Sequence, residues 1–210
     1  MRSIMSLGAT VFVLSACADQ QNPTEPATAP ALARSSTYRA VDLGTLGGNS
    51  SVANGINPAG RVVGYTEVSG GGAGRRAFLW DRGVMTLLGS LGGNGESSAS
   101  AINPAGEIVG YSAVAGGGIH AFLWRKGVMT DLGVLPDRGH NGSYAMAINP
   151  SGQVVGVSEL VTDEGFDQRA FLWEKGVMRD LGSFSPSGIN PAGQVAGSAN
   201  SATGESHAVL

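Results

Sequence analysis

Internal repetition constrains the fold of this chain more than any other feature. An Ile-Asn-Pro-x-Gly motif occurs four times, at residues 56–60, 102–106, 148–152 and 189–193. A hydrophobic-Leu-Gly element precedes each copy, and an Ala-Phe-Leu-Trp element follows the first three copies, with a degenerate version at 207–210. A single short repeat cannot bury its own hydrophobic face, so the repeats must stack on one another.

Each repeat reads as four short strands, a to d, separated by turn residues. Asn-Pro-Ala/Ser-Gly between strands b and c predicts a type I turn, in which proline presets φ at the second position. Asp81-Arg82-Gly83 and its equivalents between strand d and the next strand a predict three-residue hairpin loops with a left-handed glycine. Strand d is apolar at all four positions, which predicts burial on both faces between stacked sheets.

These units predict an all-β chain of tandem four-stranded antiparallel repeats. The repeat length matches a propeller blade, and the chain holds about four such units, the last without its tryptophan. An open arc or β-solenoid is the alternative. Pairing of 39–44 with 207–210 would close the ring. The predicted repeat domain is 38–210, with units at about 39–84, 85–128, 129–177 and 178–210.

The first 17 residues have the features of an export signal. Arg2 precedes a short apolar run that ends in Leu14-Ser15-Ala16-Cys17, and this segment resembles the lipobox of bacterial lipoproteins. The resemblance implies lipidation of Cys17 and an envelope location, with Ala18 favouring the outer membrane or cell surface. The alternative is an ordinary secretory signal with an incidental cysteine. Residues 18–37 are rich in alanine, proline and threonine and predict a disordered tether.

The repeat motifs resemble those of the HAF-type extracellular repeat family, over roughly residues 39–210. Three motifs recur in fixed order, which makes the resemblance specific. Arg76 and Arg169 stand where the family motif has histidine, and Leu87 replaces one aspartate. The resemblance implies export and repetition, and it assigns no biochemical activity.

Composition and motifs exclude several classes of function. The net charge is −3 and no lysine or arginine block occurs, so a nucleic-acid partner is not expected. No Gly-x-Ser-x-Gly element or pair of histidines at metal-ligand spacing is present. The sequence therefore predicts a protein without catalysis, metal or cofactor.

Strand alternation predicts where a ligand would bind. In an antiparallel meander the a–b and c–d connections lie at one edge of the sheet. The b–c and d–a turns, whose sequences recur from repeat to repeat, lie at the other edge. The irregular connections would form a binding face. Its candidate residues are Asn49, Asn94, Asn141, Asp163, Glu164 and Asp167.

The predicted function is that of a lipid-anchored scaffold with a binding or structural role at the cell envelope. Its partners would be the membrane, through the anchor, and a protein or glycan ligand. One alternative is a propeller-type glycan-active enzyme that uses the carboxylates near residues 163–167. The other is a partial repeat protein without independent activity.

Overall fold

A computed structural model of the chain describes residues 39–68, 74–92, 95–136, 140–162 and 165–210. These residues form fifteen β-strands and no helix, so the predicted all-β class is confirmed. No helix in these ranges is long and apolar enough to span a membrane. The chain divides into residues 1–42 and 43–210, and the second unit contains every strand. Cys17 and the tether lie outside the described residues.

The strands fall into four consecutive groups, here called the first to fourth sheets. The first sheet contains β1 (Gly47–Ile56), β2 (Val62–Val68), β3 (Arg75–Asp81) and β4 (Val84–Leu87). The second contains β5 (Ser97–Ile102), β6 (Ile108–Ala113), β7 (Ile119–Arg125) and β8 (Val128–Gly133). The third contains β9 (His140–Ile148), β10 (Val154–Thr162), β11 (Gly165–Glu174) and β12 (Val177–Gly182). The fourth contains β13 (Ser185–Ile189), β14 (Val195–Asn200) and β15 (Ser206–Val209).

Each of the first three sheets is an antiparallel meander in the order b, c, d, a, and its fourth strand comes from the next repeat, whereas the described part of the fourth sheet has strands b, c and d. A parallel bridge between Ile119 and Gly142 joins the second and third sheets. The described residues contain no closed barrel or propeller. The expected pairing of 39–44 with 207–210 is wrong, because 39–45 form no strand and β15 pairs only with β14.

Two kinds of turn, b–c and d–a, connect consecutive strands of the meanders. Gly106 N donates to Asn103 O at 2.9 Å, and Gly106 has a φ of 83°, as in a type I turn followed by a left-handed glycine. The d–a loops contain two residues rather than the three predicted, because Asp81 pairs directly with Val84. Arg82 and Gly83 both have positive φ, at 48° and 89°, which is the geometry of a type I′ turn.

The sheets stack face to face and enclose two hydrophobic cores. In β7, Phe122 and Trp124 pack into the core shared with the first sheet, whereas Ala121 and Leu123 face the core shared with the third. The prediction that strand d is buried on both faces is therefore confirmed in the second sheet. Phe122 is fully buried and Trp124 only partly, so the phenylalanine contributes more to the core.

Strands b and c lie close together, and this explains why a glycine follows Val-Val or Ile-Val in strand c. The facing strand b carries a bulge opposite this glycine. A Cβ atom on Gly110 would lie 2.0 Å from the carbonyl oxygen of Ser98. Only glycine fits at this position, and the bulge sets the register that brings the asparagine turns together.

Candidate functional site

The asparagines of the repeated turns form a ladder along one edge of the stack. Asn57 Nδ2 donates to Asn103 O at 3.2 Å, and Asn103 Nδ2 donates to Asn149 O at 3.1 Å. Asn149 Nδ2 continues the series to Asn190 O at 3.0 Å. The ladder joins all four repeats and places their turns side by side. We call this side the turn edge.

Each ladder asparagine also closes its own turn. Asn103 Oδ1 accepts from Glu107 N at 3.0 Å, and Asn103 Nδ2 also donates to Glu107 Oε2 at 2.7 Å. Because Asn57, Asn103 and Asn149 are buried, these bonds satisfy polar groups that water does not reach. The motif asparagine is therefore both a turn residue and a link between repeats, and the second role was not predicted.

Buried hydroxyl groups join the sheets a second time. Ala77 N donates to Ser97 Oγ at 3.0 Å, and Ala121 N donates to Ser143 Oγ at 2.8 Å. In each pair the donor and acceptor belong to neighbouring sheets. These bonds and the ladder hold the stack rigid around the clefts described next.

The opposite side of the stack, here called the loop edge, carries the a–b and c–d connections. The antiparallel pairing and the ladder together place them there, in agreement with the predicted alternation. Much of this edge consists of strand ends rather than loops, since β1 begins at Gly47 and β9 at His140.

A cleft of about 680 Å³ opens at the loop edge beside the first sheet. It is lined by Asn49, Glu67, Arg75 and Glu96, among others. The guanidinium carbon of Arg75 lies 4.5 Å from the centre of the Tyr65 ring, in a cation–π contact. A hydrogen bond to Tyr111, together with proximity to Tyr65, raises the pKa of Arg75. The cleft therefore combines a fixed cation with carboxylates and an amide.

A second cleft, of about 320 Å³, is lined by residues of strands in the second and third sheets. Tyr111 and Tyr144 meet there edge to face, with ring centres 5.1 Å apart and planes at 64°. Glu159 and Gln168 complete the polar lining. Burial and the nearby charge of Glu159 raise the pKa of Tyr144, so its hydroxyl stays protonated and can donate a hydrogen bond.

Aromatic rings beside carboxylate, amide and guanidinium groups have the chemistry to pack against apolar faces and to hydrogen-bond polar groups of the same molecule. Within the described ranges, no group of three or more histidine, cysteine or acidic side chains could hold a metal ion.

The predicted site residues have different positions. Asn49 lines the first cleft, and Asn141 is exposed in β9 without lining either cleft. Asp167 lies in β11. Asn94, Asp163 and Glu164 lie outside the described residues.

Sequence reasoning missed Arg75, Tyr111 and Tyr144, which carry most of the chemistry of the clefts. One signal was available: Tyr65 and Tyr111 occupy the same place, directly after the strand c glycine. The repeat motifs do not specify the residues at the positions of Arg75 and Tyr144. Pairing of β2 with β3 brings Arg75 to Tyr65, and the contact between the second and third sheets brings Tyr144 to Tyr111.

The repeat histidine and the Asp-Leu-Gly aspartate form a pair across strands d and a. His120 Nδ1 lies 2.9 Å from Asp131 Oδ2, and Arg169 Nη2 lies 2.6 Å from Asp180 Oδ2. Histidine and arginine alternate at this position because either can bond the facing carboxylate. These pairs join strand d to strand a, and none of their residues lines either cleft.

No protein-family model matches the chain, and no curated protein sequence matches it. The resemblance to the HAF-type repeat family therefore stays a prediction.

Proposed function

We propose that this chain is an exported, lipid-anchored β-repeat scaffold that binds a ligand of the bacterial cell envelope and has no catalytic activity. One observation carries the proposal: the two edges of the stack differ. The turn edge repeats the same asparagine turn in all four repeats, whereas the first cleft, at the loop edge, holds Arg75 and Glu96, which the other repeats replace with uncharged residues. Side chains that differ between repeats, carried on a backbone that is the same in each repeat, are typical of a binding surface.

In this proposal the repeats form an open stack rather than a closed ring. The asparagine ladder supports this arrangement, because it runs from Asn57 to Asn190 in chain order and does not return to its start. A stack of this kind would display the clefts in a row, where an extended ligand could contact more than one.

A chain molecule fits these clefts better than a small solute. The residues of each cleft come from more than one strand. Tyrosine rings offer apolar faces for sugar rings or peptide side chains, and Arg75 and Glu96 offer bonds to hydroxyl or backbone groups. Envelope polysaccharide and envelope protein both have this chemistry.

Anchoring through Cys17 is supported by the lipobox sequence. We expect radiolabelled palmitate to enter the natural chain and not the Cys17→Ser variant, since the thioether requires the cysteine sulfur. The labelled protein should fractionate with the outer membrane. Equal labelling of the two chains would show that Cys17 is not the lipidation site.

Binding at the loop edge is tested with the anchored chain and an isolated envelope fraction. Arg75→Gln should lower the amount retained by the envelope at least tenfold, because it removes the cation of the first cleft. The control is Lys175→Gln, which removes one exposed charge from a d–a turn at the turn edge. Both variants should stay folded, because both side chains are exposed, and Arg75→Gln should lose only about 0.5–1 kcal/mol with its cation–π contact to Tyr65.

Equal retention of the two variants would contradict binding through the first cleft. Tyr111→Ala tests the second cleft in the same assay. If this variant is also retained less by the envelope, the binding surface includes the second cleft. Digestion of the envelope fraction with a protease or with a polysaccharide hydrolase before the assay would then identify the ligand class.

A further inference from the structure

A third cleft, of about 660 Å³, opens at the turn edge between the first and second sheets. Its lining residues come from the c and d strands of the first sheet and from the turns of the second sheet. None of them lines the two clefts described above. The volume falls within the range of about 300–1,000 Å³ that is typical of small-molecule sites.

Trp124 and Leu79 give the third cleft an apolar surface. Trp124 packs against the core between the first and second sheets but is only partly buried, and it also lines the cleft. At the next junction, between the second and third sheets, the equivalent residues Trp173 and Leu123 are only 8% and 2% exposed. The first junction therefore leaves accessible a tryptophan and a leucine that the next junction covers.

Two ion pairs also line the third cleft. Arg61 Nε lies 3.0 Å from Asp81 Oδ2 within the first sheet. Arg125 Nε lies 2.7 Å from Glu107 Oε1 within the second sheet. Arg61 also approaches the neighbouring repeat, since a Cβ atom on Gly106 would lie 2.9 Å from its Nη1. The cleft thus presents hydrogen-bond donors and acceptors together, beside the apolar surface.

The paired charges of the third cleft disfavour a charged ligand. An anion that approaches either arginine also meets a carboxylate, and a cation that approaches either carboxylate also meets a guanidinium. The remaining lining charge, Lys126, is exposed, so water and salt screen it. Hydroxyl groups both donate and accept, and they suit such a site better than a charged group does.

We infer that the third cleft binds a neutral sugar, with one ring packed on Trp124 and its hydroxyl groups bonded to the two ion pairs. A sugar ring combines an apolar C–H face with hydroxyl groups at its edge, which matches an indole beside donors and acceptors. The ladder bond from Asn57 Nδ2 to Asn103 O joins the two repeats beside the cleft. This site is additional to the other two clefts and does not depend on what they bind.

The test titrates the full-length chain with three neutral hexasaccharides, cellohexaose, maltohexaose and chitohexaose. At least one should bind with a Kd below about 1 mM and change the tryptophan emission. Trp124→Leu removes the ring but keeps an apolar side chain, and it should weaken that binding about tenfold or more and abolish the emission change. The matched control is Trp80→Leu, since Trp80 has the same position in the first sheet and lines none of the three clefts.

A second substitution tests the cleft without touching the core. Ala105 lines the third cleft and is exposed, so Ala105→Leu should leave the fold intact and weaken binding about fivefold by obstructing the sugar. Ala192→Leu changes the same turn position two repeats later, where the alanine is also exposed, and it should bind like the natural chain. Circular dichroism should show unchanged strands in both variants.

Failure of all three neutral hexasaccharides to bind would overturn the inference, as would equal weakening by Trp80→Leu and Trp124→Leu. Binding that is lost in Arg75→Gln but kept in Trp124→Leu would place the sugar in the first cleft instead. The hexamer of galacturonic acid should bind more weakly than the neutral sugar. Equal affinity for this anion would show that the ion pairs do not select a neutral ligand.

Discussion

Replacing Asn103 by alanine is expected to lower the free energy of unfolding by about 3–4 kcal/mol. The side chain is 1% exposed and bonds to Glu107 N, Glu107 Oε2 and Asn149 O. Each bond contributes about 0.5–1.5 kcal/mol, and the buried groups left without partners add a desolvation cost of about 1–3 kcal/mol. Chemical denaturation followed by tryptophan fluorescence measures the change.

Asn190→Ala is the matched control for the ladder. Asn190 makes the same bonds within its turn, to Gln194 N and Gln194 Oε1, but it is exposed, and within the described ranges its amide donates only to Gln194. Its loss should cost about 1 kcal/mol, because water can replace the missing partners. If the two substitutions cost the same, the bonds between repeats contribute nothing, and the asparagine is only a turn residue.

Phe122→Ala should cost about 3–5 kcal/mol, the largest effect of any single change that we expect. The ring is fully buried in the core between the first and second sheets, and no neighbouring strand can move in to fill the space. Thermal and urea unfolding should both shift, and the two adjoining sheets should lose protection from hydrogen exchange together.

Trp124→Ala tests which of the two aromatic residues in β7, Phe122 or Trp124, contributes more to the free energy of unfolding. Trp124 is only partly buried in the same core, so its removal should cost less than that of Phe122 despite its larger size. A greater loss for Trp124 would mean that the tryptophan, not the phenylalanine, anchors the stack.

The local structure of this chain follows from short-range rules that sequence alone can apply. Asn-Pro-x-Gly and x-x-Gly segments specify turns because asparagine, proline and glycine each favour particular backbone angles. The all-apolar strand d specifies burial on both faces, and the structure confirms this for β7. The repeats also indicate that successive units must stack, since one unit has too little apolar surface to be stable alone.

Only the tertiary structure decided how the repeats meet. The amide of Asn103 reaches the next turn because the stacked sheets bring residues 46 positions apart within hydrogen-bond distance, and no local pattern encodes that distance. The second cleft arises in the same way, since Tyr111 and Tyr144 lie on different sheets. Turn geometry depends on a few neighbouring residues, whereas the docking of sheets depends on side chains from distant repeats acting together, and for this reason the sequence predicted the repeats but not their contacts.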